Sequence, residues 1–260
     1  MTWRAIAATL LALGIWSVGL VFAAPVVVRV PESSVQSYVV LRDEARKPIA
    51  LGEYKQRPKA GAIEVHLTFK FKDGSLHDET AVFSQRGAFK FARYTLHQRG
   101  PSFPTTLDAS LDGATGRYLV KYRKPGKDED TDEGHLELPP DVYPSVMHIT
   151  ILKHLAKDAS ETVHTVAFTP KPRVLKLVIQ PSSAVPFFVE GTKKMSTEYK
   201  LKPELGPLLG VLAEIAGKSP PTYHVWMLRE DVSAFLAADG PLYVGGPSWR
   251  IELTSPRWPQ

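Results

Sequence analysis

The stretch 62-AIEVHLTFKFKDGSLHDETAVF-83 decides the fold class. From Ile63 to Lys72 apolar and polar residues alternate without a break. Ile63, Val65, Leu67, Phe69 and Phe71 fall on one side of an extended chain; Glu64, His66, Thr68, Lys70 and Lys72 fall on the other. That period of two marks a strand with one buried and one wet face, whereas a helix needs apolar residues three and four apart. Asp73-Gly74 then supplies the pair that tight hairpins favour. The chain turns within Lys72–Ser75 and returns as a second strand over Leu76–Phe83.

The same composition recurs on both sides. Strands are expected at Val26–Val30, Val35–Leu41, Phe89–Leu96, Leu107–Leu111 and Arg117–Arg123, the last entered through a turn at Asp112–Gly116. Beyond the middle of the chain, Thr162–Phe168, Arg173–Gln180, Phe187–Glu190, Lys194–Lys202, Tyr223–Leu228 and Trp249–Leu253 read the same way. The 22 prolines and 18 glycines cut the sequence into short runs, as an all-β chain with many turns requires. Lys124–Gly134 reads as a solvated loop. Its Asp128, Asp130 and Asp132 lack the turn glycine and distal glutamate of a calcium loop.

Two segments break the strand pattern. Val142–Lys157 is expected to be a helix, with Asp141 as N-cap, Pro144 in the first turn and Lys153, His154 and Lys157 near its negative C-terminal end. Glu204–Gly217 is apolar nearly all round and too short to span a bilayer, so as a helix it must be buried, line a cavity, or face lipid or a partner. Strands follow one another without regular βαβ alternation, which implies antiparallel pairing. The expected fold is mainly β: a large curved antiparallel sheet or barrel with one or two helices packed at an end, with a β-sandwich as the alternative.

The N-terminus sets the expected compartment. Arg4 precedes an apolar run, Ala5–Phe22, and Val21-Phe22-Ala23 places small residues where a signal peptidase reads them. Residues 1–23 are expected to be a signal peptide and residues 24–260 a single β-rich domain in the periplasm or outside the cell. The alternative is an uncleaved inner-membrane anchor. Cysteine is absent, which excludes thiol catalysis, thiolate metal sites and lipoprotein acylation. The net charge of +5 comes from lysines and arginines spread over strand positions rather than gathered into a stripe. No nucleic-acid partner is expected.

Catalytic motifs are missing. There is no G-x-S-x-G elbow and no H-E-x-x-H helix, and Ser145-Val146-Met147-His148 only approaches S-x-x-K. His77-Asp78-Glu79 is the densest group of acid/base side chains; just after a hairpin turn, it reads as wet-face. A hydrolase would instead bring several of His77, Asp78, Glu79, Asp141 and His148 together.

Four proline-rich segments join rigid turns to aromatic or ionic side chains: Gly100–Pro104, Leu138–Asp141, Pro170–Arg173 and Gly246–Leu253. On these segments, and over about Asp73–Trp258, the chain resembles exported bacterial β-rich proteins grouped only as a domain of unknown function. The resemblance implies export and an extensive antiparallel sheet, and supplies no catalytic residues.

The expected function is non-enzymatic binding of an apolar or amphipathic small molecule, a lipid or cell-envelope component. Leu208, Leu209, Leu212, Trp226, Trp249 and Arg250 are the candidate ligand contacts, with no metal and no cofactor. Peripheral contact with a membrane is compatible with the charge. The rival classes are an envelope-directed hydrolase and a structural or interaction module.

Overall fold

The computed structural model describes residues 24–156, 159–189, 191–205, 221–228 and 233–254. Its strands are β1 (Val35–Arg42), β2 (Pro48–Lys59), β3 (Ala62–Phe71), β4 (Leu76–Arg86), β5 (Ala88–Arg99), β6 (Thr106–Asp112), β7 (Arg117–Arg123) and β8 (Asp130–His135). A 3₁₀ turn (Ser145–Met147) and helix α1 (His148–His154) follow. Then come β9 (Glu161–Ala167), β10 (Arg173–Val189), β11 (Thr192–Glu204), β12 (Tyr223–Leu228), β13 (Phe235–Gly240) and β14 (Trp249–Leu253).

All fourteen strands belong to one antiparallel sheet, ordered β8-β7-β6-β5-β4-β3-β2-β1-β14-β13-β12-β11-β10-β9. The chain meanders outward from β1 to the β8 edge, crosses through α1 to the β9 edge, and meanders back until β14 pairs with β1. Among the described residues the two edges are not joined by a ladder. Residues 141–143 run along β9 instead, with Tyr143 N donating to His164 O and His164 N to Asp141 O. The architecture is thus a large curved antiparallel sheet with one helix at an end, and a single sheet rather than the two of a sandwich.

Several sequence expectations shift for identifiable reasons. Val26–Val30 makes one bridge, Val27 to Ala88, rather than a strand. Arg29 N in this stretch, and Glu32 N just beyond it, donate to side chains: His154 Nδ1 and Gln85 Oε1. The Lys124–Gly134 loop contains most of β8, an exposed acidic edge strand that needs no apolar face. Helix α1 starts later than expected. Asp141 does not cap it, because the Asp141 carboxylate takes His164 Nδ1 at 2.8 Å and Pro144 is extended. The two expected strands at Arg173–Gln180 and Phe187–Glu190 are one strand, β10, carrying an irregularity between Pro181 and Ala184. The apolar segment Glu204–Gly217 begins at the end of β11, and its residues from 206 onward lie outside the described residues, as do residues 1–23.

The concave side is filled. Ile63, Val65, Phe69, Phe83, Phe89, Leu111 and Val120 point inward with almost no exposure, and Val146, Met147, Ile151 and Leu152 of the helical segment join the same core. The His154 ring packs edge-on against Phe89 at 4.6 Å. Strand β2 turns Ala50, Gly52, Tyr54 and Gln56 inward. Gly52 lies opposite Phe69, and a Cβ there would meet Phe69 Cδ1 and Thr68 O, each at 2.5 Å. Gly52→Ala should therefore force the β2–β3 pair apart and cost about 1–3 kcal/mol, read as a lower urea midpoint at unchanged slope.

Candidate functional site

The inner face of β4 reads His77, Glu79, Ala81, Phe83. Pairing with β3 sets Phe69 opposite His77 and Leu67 opposite Glu79, so two polar side chains sit in line with an apolar row. This corrects the wet-face expectation: His77 and Glu79 are both buried. Asp78 does face outward, where it accepts from His66 Nε2 at 2.8 Å and Thr68 Oγ1 at 2.9 Å.

Glu79 is surrounded by donors. Its Oε1 accepts from the Ser145 hydroxyl, from Val146 N at 2.9 Å and from the Tyr94 hydroxyl at 2.9 Å. Its Oε2 faces His77 Nε2 at 3.4 Å. Gln98 Nε2 lies 3.0 Å from His77 Nδ1 and donates to Leu242 O at 2.8 Å. An amide nitrogen only donates, so His77 Nδ1 accepts and the Nε2 proton is directed at Glu79. Burial alone would raise the Glu79 carboxyl; hydrogen bonds from His77, Ser145 and Tyr94 outweigh it and hold it below its usual range. The same anion, after burial itself, pushes the Tyr94 phenol well up.

This carboxylate does what Asp141 was expected to do. It receives the Val146 N–H in the first turn of the helical segment and the Ser145 hydroxyl beside it, so the cap for the 3₁₀ turn comes from a strand 67 positions earlier. His148, one turn on, is pushed down to about 4 by burial, against the opposing pull of the Tyr143 carbonyl and the Glu79 charge. Its Nε2 contacts Tyr143 O at 3.1 Å and Thr165 Oγ1 at 3.2 Å.

Of the five residues a hydrolase would gather, His77 and Glu79 meet, with His148 within electrostatic reach. Asp78 points away and Asp141 is engaged by His164. The Ser145 hydroxyl gives its proton to a carboxylate cap rather than to an imidazole, so it lacks the paired base of an activated nucleophile. The arrangement ties a helix to a sheet.

The expected ligand contacts separate. Trp249 is buried in an aromatic cluster with Phe71, Phe103 and Tyr243, at centroid distances of 5.5, 6.4 and 6.1 Å. Its neighbour Arg250 projects to the other face of the sheet, 4.7 Å over the Trp226 ring, and pairs with Asp239 at 3.2 Å and with Glu252. Arg250 and Trp226 thus meet each other but not Trp249. Leu208, Leu209 and Leu212 lie outside the described residues.

Sequence reading did not find the cleft beside Trp249. Three turns converge there: Phe103-Pro104-Thr105 after β5, Phe168-Thr169-Pro170 after β9, and Tyr243-Val244 before β14. They enclose about 90 Å³, with Gln98 and Leu107 completing the wall. Phe103 stands over Trp249 and Tyr243, and Phe168 stacks on Tyr94 at 4.5 Å. Two of the four proline-rich segments, Gly100–Pro104 and Pro170–Arg173, reach this cleft, and a third supplies Trp249 beneath it. The signal was there in their rigid, aromatic-bearing turns; what one chain could not supply was that the turns share an end of the sheet.

No protein-family model matches the chain, and no curated protein is detectably similar to it. Among solved structures, it is similar to a crystal structure described as a beta-barrel-like protein of domain of unknown function DUF1849 from Brucella abortus. Identity is 11%, the match covers 86% of this chain and 96% of that chain, and the TM-score is 0.46. The likeness is weak and partial, and does not identify the chain.

Proposed function

We propose that the chain is an exported, non-enzymatic protein that binds an apolar or amphipathic ligand, a lipid or another cell-envelope component, at the cleft under Phe103, Phe168 and Tyr243. The observation that carries this reading is the cleft's composition: aromatic rings, prolines and aliphatic side chains, with the Gln98 amide and the hydroxyls of Thr105 and Thr169 as its other polar side-chain groups besides the Tyr243 phenol. Gln98 spends its amide nitrogen on His77 and Leu242, which leaves its carbonyl oxygen able to accept from a ligand hydroxyl or amide. Size limits the occupant. Pockets for whole drug-sized ligands run to roughly 300–1,000 Å³. A cleft of about 90 Å³ takes one ring or the end of an acyl chain and leaves the rest of the molecule outside. That suits an amphipathic ligand whose polar part stays wet. The N-terminal apolar run supports placing the protein in the envelope, where such molecules are found.

Val244 stands at the rim with 60% of its surface exposed, so it can be changed without disturbing the core. Val244→Asp should weaken binding of a fluorescent fatty-acyl probe at least about tenfold, since a desolvated carboxylate beside an apolar chain costs more than 1.4 kcal/mol. Its circular dichroism and urea midpoint should match the wild type. Failure of the wild type to bind any acyl or aromatic probe overturns the reading. Binding untouched by Val244→Asp but lost in Leu209→Asp would move the site to the Glu204–Gly217 segment.

A further inference from the structure

We propose that the tip of the β10–β11 hairpin is a docking element for an anionic lipid surface. The hairpin outruns its neighbours. Strand β9 pairs with β10 only as far as Ile179, and β12 pairs with β11 only as far as Ser196. The rungs Pro186–Met195, Phe187–Lys194, Phe188–Lys193 and Val189–Thr192 therefore project as a two-stranded ribbon, with no other strand of the described residues paired to it. At about 3.4 Å per residue the projection is roughly 10–14 Å long, on the scale to which interfacial elements sink into the headgroup and acyl boundary.

Its two faces differ. Pairing and alternation put Pro186, Phe188, Met195 and Lys193 on one face, and all four are exposed. Phe188 is 66% and Met195 44% exposed. A single exposed apolar residue is ordinary, but an aromatic, a methionine and a proline together on a projecting tip are not. Lys193 sits directly opposite Phe188, with Lys194 on the next rung, and in the sequence from 186 to 195 these two lysines stand against one carboxylate, Glu190. Rings at headgroup depth beside lysines facing phosphates are the side-chain set of an interfacial anchor. A second copy adding a strand here is disfavoured, because Pro186 lacks the N–H a ladder needs and lysine blunts the edge. The proposal is independent of the cleft, which lies between other turns.

The chain has no cysteine, so one introduced thiol is a unique attachment point for an environment-sensitive dye. The full-length chain carrying Phe188→Cys is compared with Leu51→Cys, whose parent side chain is 67% exposed on β2, five strands from β11 in the sheet order. The readout is local, so attachment through Ala5–Phe22 does not mimic it. Vesicles of phosphatidylcholine with 30% phosphatidylglycerol, on the order of physiological anionic content, should blue-shift the dye at 188 and shield it from an aqueous quencher, leaving the dye at 51 unchanged. Lys193→Ala with Lys194→Ala should raise the lipid concentration needed about tenfold. Should Phe188→Cys fold poorly, Met195→Cys reports on the same face. No shift at 188, equal shifts at 188 and 51, or an equal response to pure phosphatidylcholine each overturn the proposal. A shift that follows protein concentration without lipid also overturns it and assigns the tip to a second copy.

Discussion

Glu79→Ala is expected to lower stability by about 4–5 kcal/mol, more than most single substitutions. The loss has a specific source. The carboxylate is the acceptor for Val146 N, the Tyr94 hydroxyl and the His77 ring, all on buried residues, and for the hydroxyl of the exposed Ser145. Removing it leaves buried donors with no acceptor, at about 1–3 kcal/mol for each unsatisfied group. It also removes the cap of the 3₁₀ turn that leads into helix α1, and with it the tie between the crossover and β4. Glu79→Gln keeps the volume and one acceptor oxygen but aims an N–H₂ at donors, and should fall about midway. Urea titration at neutral pH checks both variants, with near-ultraviolet dichroism following Tyr94 and Tyr143. A loss below about 1 kcal/mol for Glu79→Ala would mean that the helical segment is held by its apolar contacts alone.

The position of Glu79 was more legible than the sequence reading allowed. In the Lys72–Ser75 turn, Lys70 pairs with Leu76, so odd-numbered residues of β3 face odd-numbered residues of β4. The unbroken alternation from Ile63 to Phe71 makes the odd side the buried one. The same parity then carries His77 and Glu79 inward with Ala81 and Phe83. The apolar Leu76 and Val82, on the even side, disguised this. What the sequence could not show is the partner set, because Ser145 lies 66 positions away and meets Glu79 only when the crossover folds back.

The same distinction runs through the fold. Strands with a continuous aliphatic or aromatic inner row, such as β3, β6 and β12, were readable within a residue or two. Strand β2 was not, since its inner row is Ala50, Gly52, Tyr54 and Gln56, while Leu51 faces solvent. Strand β13 was hidden by small residues in Phe235–Gly240, and β8 by having no buried face. Antiparallel order followed from the lack of βαβ alternation. The return of β14 to β1 did not, because a non-local pairing leaves no local pattern. The ligand contacts split for the same reason: Trp249 and Arg250 are neighbours in sequence and so necessarily point to opposite faces of a strand.

Lowering the pH from about 4.5 towards 2 is expected to remove about 3 kcal/mol of stability through Glu32 alone. Glu32 belongs to the N-terminal strap, which crosses from Phe89, bonded to Val26 O, to Gln85, bonded to the Glu32 backbone. Its side chain is only 8% exposed. Oε1 accepts from His154 Nε2 at 2.9 Å, and Oε2 from Lys153 Nζ at 2.6 Å and Gln56 Nε2 at 2.7 Å. Burial by itself would raise this carboxyl, but the bonds from His154, Lys153 and Gln56 bring it down to about 2. A depressed folded-state value means that the anion stabilises the fold fully above the unfolded value of about 4.5, and that this contribution falls away as the pH drops towards 2. Glu32→Gln removes the charge at every pH. Near pH 7 the variant should therefore be about 3 kcal/mol less stable than the wild type, and the gap should close over that acid window. Other carboxylates held low, Glu79 and Glu252 among them, titrate in both proteins and cancel in the difference. Paired urea titrations at several pH values give the result directly. A gap that stays constant through the acid range would show that the strap is held by its backbone bonds and not by the Glu32 contacts with Lys153 and His154. A closing gap would show that the strap is held through the Glu32 carboxylate, which joins it to Lys153 and His154 of helix α1 and to Gln56 of β2.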